Sequence, residues 1–490
     1  MSVFNSSPEV EIRERRVHSV ISYEGTAKDL NEKSKARSVA FVERSYNQCS
    51  NCAEGCTHTQ LHIRNTAVIC HAPIGCDGGQ VMRYHLAVRS STAARGREPF
   101  ETHTLSTNIS EDDTIFGAAE KLRGAISEAD RRYSPEAIFI TTSCASGIIG
   151  EDIESVADEM QEELGYPIVP IYCEGFKSQI WSTGFDAALH GILRKLVKPP
   201  KKRQEDLVNV INFEGSDTFT TLLSRMNLRG NYVVPLLSLQ ELETVSEARC
   251  SVSICETLSM YFAAVLEEQY GVPEIKAPSP FGLDWTDSWL RALGKATNRE
   301  ELAEKVIKEE RAKYAGEIED LRQKLEGKTV YVFSGDSFAH NLANVAKDLG
   351  MVVIGGSTLH HDLITDNPDS VNSLHALVES VGDVPNFTVC NQQPYIVIKL
   401  LKRLKPDFLI CRHNGLAPLG AKLGIPSLFE ADANYSIGYE GVVKMGRRFY
   451  EAWQSRKILE NVVKYSEIPY TDWWLNEENP FYFVEEAAAV

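Results

Sequence analysis

Apolar residues along this chain occur in short runs, and segments of helical periodicity separate the runs. The run Glu136–Thr142 is apolar and rich in β-branched residues, and Ile153, Val156 and Met160 follow it at helical spacing. A second apolar run then covers residues 166–172. This strand–helix–strand order predicts a βαβ unit with two parallel strands.

The same order recurs three more times, which predicts an α/β fold with mostly parallel sheets. In such sheets, functional groups lie in the loops that follow the carboxyl ends of the strands. The basic, proline-rich stretch 197–206 and Gly327 are the predicted boundaries. We therefore expect three Rossmann-like domains, which cover residues 25–200, 201–325 and 326–490.

The composition and charge of the chain argue against several classes of protein. The chain has 490 residues and a formal net charge of −17, which disfavours binding to nucleic acid. No apolar run is long enough to span a bilayer, and the N-terminal segment has no apolar core of a secretory signal. We therefore expect a cytoplasmic protein that does not bind membranes. No glycine-rich phosphate loop follows a strand, so nucleotide binding by this chain is not expected.

Cysteines carry the strongest chemical signal. There are eleven, and five of them lie between Cys49 and Cys76. A disulfide framework is not expected in a reducing compartment, so this density favours metal or iron–sulfur ligation. Cys52, Cys76 and Cys144 each lie in a loop that contains glycine, where backbone amides can approach a sulfide cluster.

Four stretches of the chain are CHAPIGC, TSCASGIIGEDIESVADEM, VPIYCEGF and ICETLSMYFAAVLEEQYGVP. They resemble the alpha-type subunits of nitrogenase component 1. In that family the counterparts of the first three are a His-Gly-Pro-Val/Ile-Gly-Cys loop, a Cys-x-x-x-Leu/Ile-Ile-Gly-Asp-Asp segment and a Cys-Glu-Gly-Phe stretch. The resemblance extends from about Gln48 to Trp453, in the family's order.

This resemblance implies two metal clusters, held in loops between the domains. Cys52, Cys76 and Cys144 would be the alpha-side ligands of an 8Fe–7S P-cluster shared with a beta-type subunit. Cys255 would bind one end of a larger active-site iron–sulfur cofactor, although a packed core thiol is an equally good reading of its helical context. Cys49 and Cys56 have no counterpart role, and a rearranged set of ligands that includes them stays an open alternative; the role of Cys70 is also open. His71 is expected to order the Cys76 loop by hydrogen bonding.

The chain departs from the dinitrogen-reducing enzymes around the expected cofactor. Trp181 stands where those enzymes have a glutamine, and Phe185 where they have a histidine. Ala431 or Asp432 stands at the second cofactor ligand, also a histidine in the molybdenum and vanadium enzymes. The homocitrate-binding lysine of those enzymes has no counterpart here, and Gly415 falls near its position. His413 and Arg412 lie close by in the sequence and could either line the pocket or only pack in a loop.

These departures favour an all-iron 8Fe–9S–C type of cofactor, because a carboxylate is a poor substitute for imidazole on molybdenum or vanadium. Two functions stay open: a nitrogenase-like reductase of the methylthio-alkane reductase type (its D subunit), and the alpha-like subunit of the cofactor-maturation scaffold. An iron-only or vanadium nitrogenase alpha subunit is a third, weaker option. The reductase is favoured, since apolar Trp181 and Phe185 suit a thioether substrate.

The resemblance also implies partners. We expect a beta-type (K) subunit in an α2β2 heterotetramer, and a dimeric 4Fe–4S reductase that docks on it and hydrolyses ATP. The substrate would be a small thioether, and ATP would bind only to the reductase. Within this chain, Trp181, Phe185 and His413 are the expected pocket residues, and Cys255 and Asp432 the expected cofactor contacts.

Overall fold

A computed structural model describes most of the chain and divides it into two compact units. The first unit comprises residues 1–16, 51–275 and 293–303, and the second comprises residues 17–50, 276–292 and 304–490. The described residues within them are 4–36, 52–77, 88–89, 92–93, 96, 98–101, 103–211, 219–233, 237–363, 372–390, 394–412, 416–430 and 436–476.

Strands and helices alternate through both units. The strands are β1 Ser19–Val20, β2 Ser22–Gly25, β3 Thr66–His71, β4 His103–Ser106, β5 Ala137–Thr142, β6 Ile168–Ile171, β7 Gln204–Ile211, β8 Arg229–Val233, β9 Ala248–Ser253, β10 Thr329–Ser334, β11 Val352–Thr358, β12 His361–Asp362, β13 Phe387–Cys390, β14 Phe408–Cys411 and β15 Ser427–Phe429. The α-helices are α1 Arg13–Arg16, α2 Ala27–Lys35, α3 Ala53–Gln60, α4 Ile74–Asp77, α5 Glu111–Phe116, α6 Ala119–Tyr133, α7 Cys144–Ile149, α8 Ile153–Leu164, α9 Thr183–Lys195, α10 Thr220–Arg225, α11 Leu239–Glu243, α12 Glu256–Tyr270, α13 Leu283–Thr297, α14 Glu300–Leu325, α15 Asp336–Asp348, α16 Ser373–Val381, α17 Pro394–Leu404, α18 Leu416–Lys422, α19 Gly438–Gln454, α20 Ile458–Tyr465 and α21 Asp472–Asn476. Gly175–Lys177 and Val245–Glu247 form 3₁₀ turns.

The first unit contains a four-stranded sheet in the order β4-β3-β5-β6, and all of its strand pairs are parallel. Successive residues point to opposite faces, because side chains alternate along a strand. Ile69 packs with α6 and α8 on one face, whereas Val68 and Phe139 pack with α9 on the other. Both faces are therefore buried, which explains why β3 and β5 are apolar without alternation.

A three-stranded parallel sheet, in the order β8-β7-β9, completes the first unit. One hydrophobic cluster contains Val169 and Ile171 from the first sheet together with Leu207, Val233 and Phe262 from around the second. The two sheets of this unit therefore share a continuous core. Cys255 lies just after β9, at the carboxyl end of its strand.

The second unit is built on a six-stranded sheet in the order β15-β14-β10-β11-β13-β2. Its strands are parallel except β2, which runs antiparallel to β13 at the edge. A small antiparallel pair, β1 with β12, belongs to the same unit. The sheet is closed on one side by an apolar cluster around Tyr331, Leu409 and helix α17.

The predicted α/β class with mostly parallel sheets is confirmed. The predicted strand at 136–142 is β5, and the periodic segment after it is α8. The predicted division at 25–200, 201–325 and 326–490 stays a prediction; each range contains one of the three larger sheets, with β2 as the exception. Among the described residues, no helix combines the length and apolar character that crossing a bilayer demands.

Candidate functional site

Three loops with predicted roles leave the same edge of the four-stranded sheet. Since β3, β5 and β6 run parallel, their carboxyl ends lie together. Cys76 follows β3, Cys144 follows β5, and the 3₁₀ turn that begins at Gly175 follows β6. Topology alone therefore collects two of the three predicted cluster ligands at one end of this sheet.

The third predicted ligand, Cys52, comes to this region on helix α3, which it caps at the N-terminus. Gly184 of α9 lets α3 approach closely, because a Cβ there would lie 1.9 Å from the carbonyl oxygen of Ala53. The Thr57 hydroxyl then donates a hydrogen bond to the Gly184 carbonyl over 3.0 Å. The position of Cys52 is thus set by helix packing that leaves no room for a larger residue at 184.

Gly175 brings two of the predicted ligands together. A Cβ atom built on it would lie 2.4 Å from the Cys52 sulfur and 3.6 Å from the Cys144 sulfur. The two sulfurs therefore lie no farther apart than the sum of those distances. The backbone of this turn passes directly beside both thiols, and a Cβ at residue 175 would collide with the Cys52 sulfur in its present position.

The Cys144 segment is anchored by its N-cap. The Ser143 hydroxyl accepts a hydrogen bond from the Ser146 amide over 3.3 Å and donates one to the His71 carbonyl over 3.0 Å. The cap thus orients Cys144 and ties its loop to the loop that carries Cys76.

His71 is buried and makes the hydrogen bonds expected of an ordering residue. Its Nδ1 lies 3.1 Å from the Thr107 hydroxyl and its Nε2 lies 2.9 Å from Glu151 Oε2. Burial lowers the pKa of His71, although the Glu151 carboxylate partly opposes this. Glu151 also accepts a hydrogen bond from the Ala118 amide, so this histidine links three segments around the Cys76 loop.

The thiols around this edge differ in their electrostatics. The Cys52 side chain is exposed, yet the atoms packed around its sulfur exclude enough water to raise its pKa. Burial raises the pKa of Cys173 well above its ordinary value, and its thiol donates to the Thr142 carbonyl over 3.3 Å. Negative charge on Glu54 adds to the rise in both pKa values. Cys52 is therefore the more accessible thiol, and Cys173 is a buried thiol held by a hydrogen bond.

The second predicted site is arranged around Cys255, which caps helix α12 and is buried. Trp181 and Phe185 contact each other edge to face, with ring centroids 5.3 Å apart. Arg13 connects the two elements: its guanidinium donates to both carboxylate oxygens of Asp186 and, over 2.6 Å, to the Thr257 carbonyl. The start of α9, with Phe185, is thereby tied to the start of α12.

Sequence reasoning missed Arg13 and Asp186, which form a fully buried ion pair with Arg16 as a third member. The Arg16 guanidinium also lies over the Tyr261 ring, 5.0 Å from its centroid. The sequence carries little indication that Arg13 is buried, because an arginine-rich segment near an N-terminus normally indicates a solvated surface. Only the fold shows that residues 173 positions apart meet.

Other predicted residues lie outside the part of the chain that the structure describes. These are Cys49, His413, Gly415, Ala431 and Asp432. Arg412 is described, and its guanidinium lies over the Phe338 ring at 4.0 Å from the centroid. Roles for His413 and Asp432 in a cofactor pocket remain predictions.

Comparisons with known proteins agree on one family. The model of the family described as nitrogenase component 1 type oxidoreductase matches residues 52–454. The nitrogenase molybdenum-iron protein alpha chain of Methanosarcina barkeri is 30% identical over 430 residues, which cover 84% of this chain and 78% of the relative. The nitrogenase iron-molybdenum cofactor biosynthesis protein NifE of Methanococcus maripaludis is 27% identical over 407 residues, which cover 80% of each.

Solved structures show the same fold. The structure titled "Nitrogenase Cp1 at pH 6.5" superimposes with a TM-score of 0.70 at 21% identity. The alignment covers 88% of this chain and 92% of that one.

Proposed function

This chain belongs to the nitrogenase component 1 type oxidoreductase family, and we propose that it is the catalytic alpha-type (D) subunit of a nitrogenase-like reductase that cleaves carbon–sulfur bonds. The substrates would be small methylthio-alkanes, and methanethiol would be released. The balanced reaction consumes two electrons and two protons: the carbon–sulfur bond breaks, the alkyl carbon gains a hydrogen and the sulfur leaves as methanethiol.

The observation that carries this proposal is the pair Trp181 and Phe185. Phe185 is buried and the Trp181 ring meets it edge to face, so the two form one apolar cluster. Phenylalanine at position 185 cannot donate a proton, as the imidazole expected there in a dinitrogen-reducing enzyme would. In our proposal this apolar pair borders the cofactor, where it would favour a thioether, which is itself apolar, over a substrate that needs directed protonation.

The residues around Gly175 fit an iron–sulfur cluster. Two thiols meet at one edge of the sheet, and the neighbouring backbone has no Cβ that would occupy the space beside them. In our proposal Cys52, Cys76 and Cys144 hold an 8Fe–7S P-cluster shared with a beta-type subunit. Such a cluster stores and passes single electrons; the contribution of this chain is to hold the thiolates and to present backbone to the sulfides.

The residues around Cys255 also fit a cluster ligand. Its sulfur stands at the N-terminal end of a fifteen-residue helix, where the helix dipole stabilises a thiolate. We propose an all-iron cofactor of the 8Fe–9S–C type here, which would supply the electrons for bond cleavage. Arg13 and Asp186 fix the elements that carry Cys255 and Phe185, so they act as positioning residues.

A second candidate function is the alpha-like subunit of the cofactor-maturation scaffold. Its support is that NifE proteins are among the similar relatives, at 26% to 27% identity. A scaffold would hold an all-iron cluster without consuming a thioether. Turnover therefore distinguishes the two functions.

The test is anaerobic co-expression with the beta-type subunit and the ATP-dependent 4Fe–4S reductase, followed by metal analysis and parallel assays with a methylthio-alkane and with dinitrogen. We expect methanethiol and alkane in equal amounts, dependent on ATP and the reductase. Iron loading without thioether turnover would favour the scaffold, and ammonia as the main product would indicate a nitrogenase.

Cys255→Ala provides the second part of the test, with Cys250→Ala as its matched control. Both thiols are buried; Cys250 lies within β9, and Cys255 lies two residues after the strand ends. We expect Cys255→Ala to remove the active-site cofactor and the turnover while P-cluster iron remains. Cys250→Ala should keep both; equal losses in the two variants would contradict the ligand assignment.

A further inference from the structure

We propose that Glu54, His58 and Cys70 form a binding site for one divalent metal ion of the zinc class. The three residues are separate from the predicted cluster ligands Cys52, Cys76 and Cys144. The proposal does not depend on the proposed function, because it uses only the position and chemistry of these three side chains.

The geometry is that of a small coordination site. Glu54 and His58 are four residues apart on α3 and therefore share one helix face, while Cys70 lies on β3. One donor atom from each of the three lies within 4.8 Å of the other two. The Cys70 sulfur and His58 Nε2 are 3.3 Å apart, close to the roughly 3.5 Å that tetrahedral zinc with its usual bond lengths requires.

Burial makes this donor set unusual. The exposed fractions are 6% for Glu54, 5% for His58 and 0% for Cys70. Removing a charged carboxylate from water is costly unless its charge is neutralised, whereas a neutral thiol is readily buried. A carboxylate, a thiolate and a neutral imidazole carry two negative charges together, which a divalent cation balances. The ion thus turns three buried polar groups into one neutral unit.

The donor types indicate which ion would bind. One sulfur, one nitrogen and one carboxylate oxygen match zinc and other borderline divalent ions, not magnesium or calcium, which take oxygen ligands. The Thr141 hydroxyl is buried on β5 and lies 3.2 Å from His58 Nε2. A water molecule held by this hydroxyl would complete a tetrahedral site.

Metal at this position would fasten α3 to the sheet. Cys52 caps α3, so an ion shared by α3 and β3 would hold the Cys52 thiol in place beside Gly175. The site would therefore act as a structural clamp next to the predicted P-cluster ligands, and not as a reaction centre.

The experiment measures zinc on the full-length chain under anaerobic conditions. The double variant Cys52→Ser/Cys144→Ser serves as the reference protein, because it removes two competing thiols. Zinc is added and its content is measured by mass spectrometry, and X-ray absorption at the zinc edge counts the sulfur neighbours without interference from iron. We expect one zinc per chain with one sulfur and otherwise nitrogen or oxygen neighbours.

Substitutions then identify the ligands. In the reference protein, Cys70→Ser should remove the sulfur neighbour, and His58→Asn should weaken zinc binding at least about tenfold. Cys250→Ser, at a buried strand cysteine remote from the site, should change neither. If a ligand variant does not fold, the sulfur count of the reference protein still decides. No zinc uptake, two or more sulfur neighbours, or unchanged binding in both ligand variants would overturn the proposal.

Discussion

Gly175→Ala tests whether the Cys52 and Cys144 sulfurs hold a cluster. The added methyl carbon would lie 2.4 Å from the Cys52 sulfur, whereas ordinary contacts are 3.4–4 Å. The sulfur therefore has to move by about 1 Å. In the chain without metal, rotation about one side-chain bond achieves this at a cost of about 1 kcal/mol. A sulfur bonded to iron cannot rotate in this way, so the methyl group and the cluster compete for the same space.

We expect Gly175→Ala to have little effect on the protein without iron and a large effect on the protein after cluster assembly. Without iron, the urea midpoint of Gly175→Ala should fall only slightly. After anaerobic maturation with the beta-type subunit, Gly175→Ala should contain less iron than wild type, by the amount that the P-cluster accounts for. The electron paramagnetic resonance signal of the oxidised P-cluster should be lost or altered. Gly124→Ala is the control, because a Cβ there meets nothing within 4 Å and lies inside helix α6. Full iron content and an unchanged spectrum in Gly175→Ala would refute the reasoning.

Three further predictions concern stability. Ser143→Ala should lower the free energy of unfolding by about 1 kcal/mol, since the N-cap bond and the bond to the His71 carbonyl are both lost; a urea midpoint equal to that of wild type would contradict this. Asp186→Asn should cost about 3–5 kcal/mol, because two guanidinium groups lose their buried carboxylate, and an unchanged thermal midpoint would show that the ion pair is dispensable. Burial lowers the pKa of His340 to about 4. Below about pH 6.5 the unfolded chain therefore binds a proton at this histidine, whereas the folded chain does not until about pH 4. The free energy of unfolding should therefore decrease by about 2 kcal/mol as the pH falls from 7 to 5. His340→Gln should flatten this slope in urea titrations, whereas His375→Gln, on the surface, should not.

The strands and helices follow from local pattern. Buried parallel strands such as β5 and β6 need apolar residues on both faces, and helices such as α8 need them at a spacing of three to four, so neighbouring residues alone indicate each of these elements. The glycine-containing loops after strands are equally visible. That Cys76 and Cys144 leave the same sheet edge follows from parallel topology, which the alternating order of elements predicts.

Contacts between distant residues could not be predicted in this way. The spacing of Glu54 and His58 shows that they share a helix face, but not that Cys70 on β3 faces them. Likewise, Arg13 looks like a surface residue in the sequence, yet it is fully buried against Asp186. The periodicity of one element carries no information about its rotation and depth relative to another element.

The sequence by itself determined the α/β class, the order of the elements and the cysteines worth considering, because each of these depends on residues close together along the chain. Only the tertiary structure decided that Gly175 lies beside two thiols and that a carboxylate, an imidazole and a thiol meet inside the first unit. The physical reason is that such meetings depend on how helices pack against sheets, where positions such as Gly184 set the distance of approach.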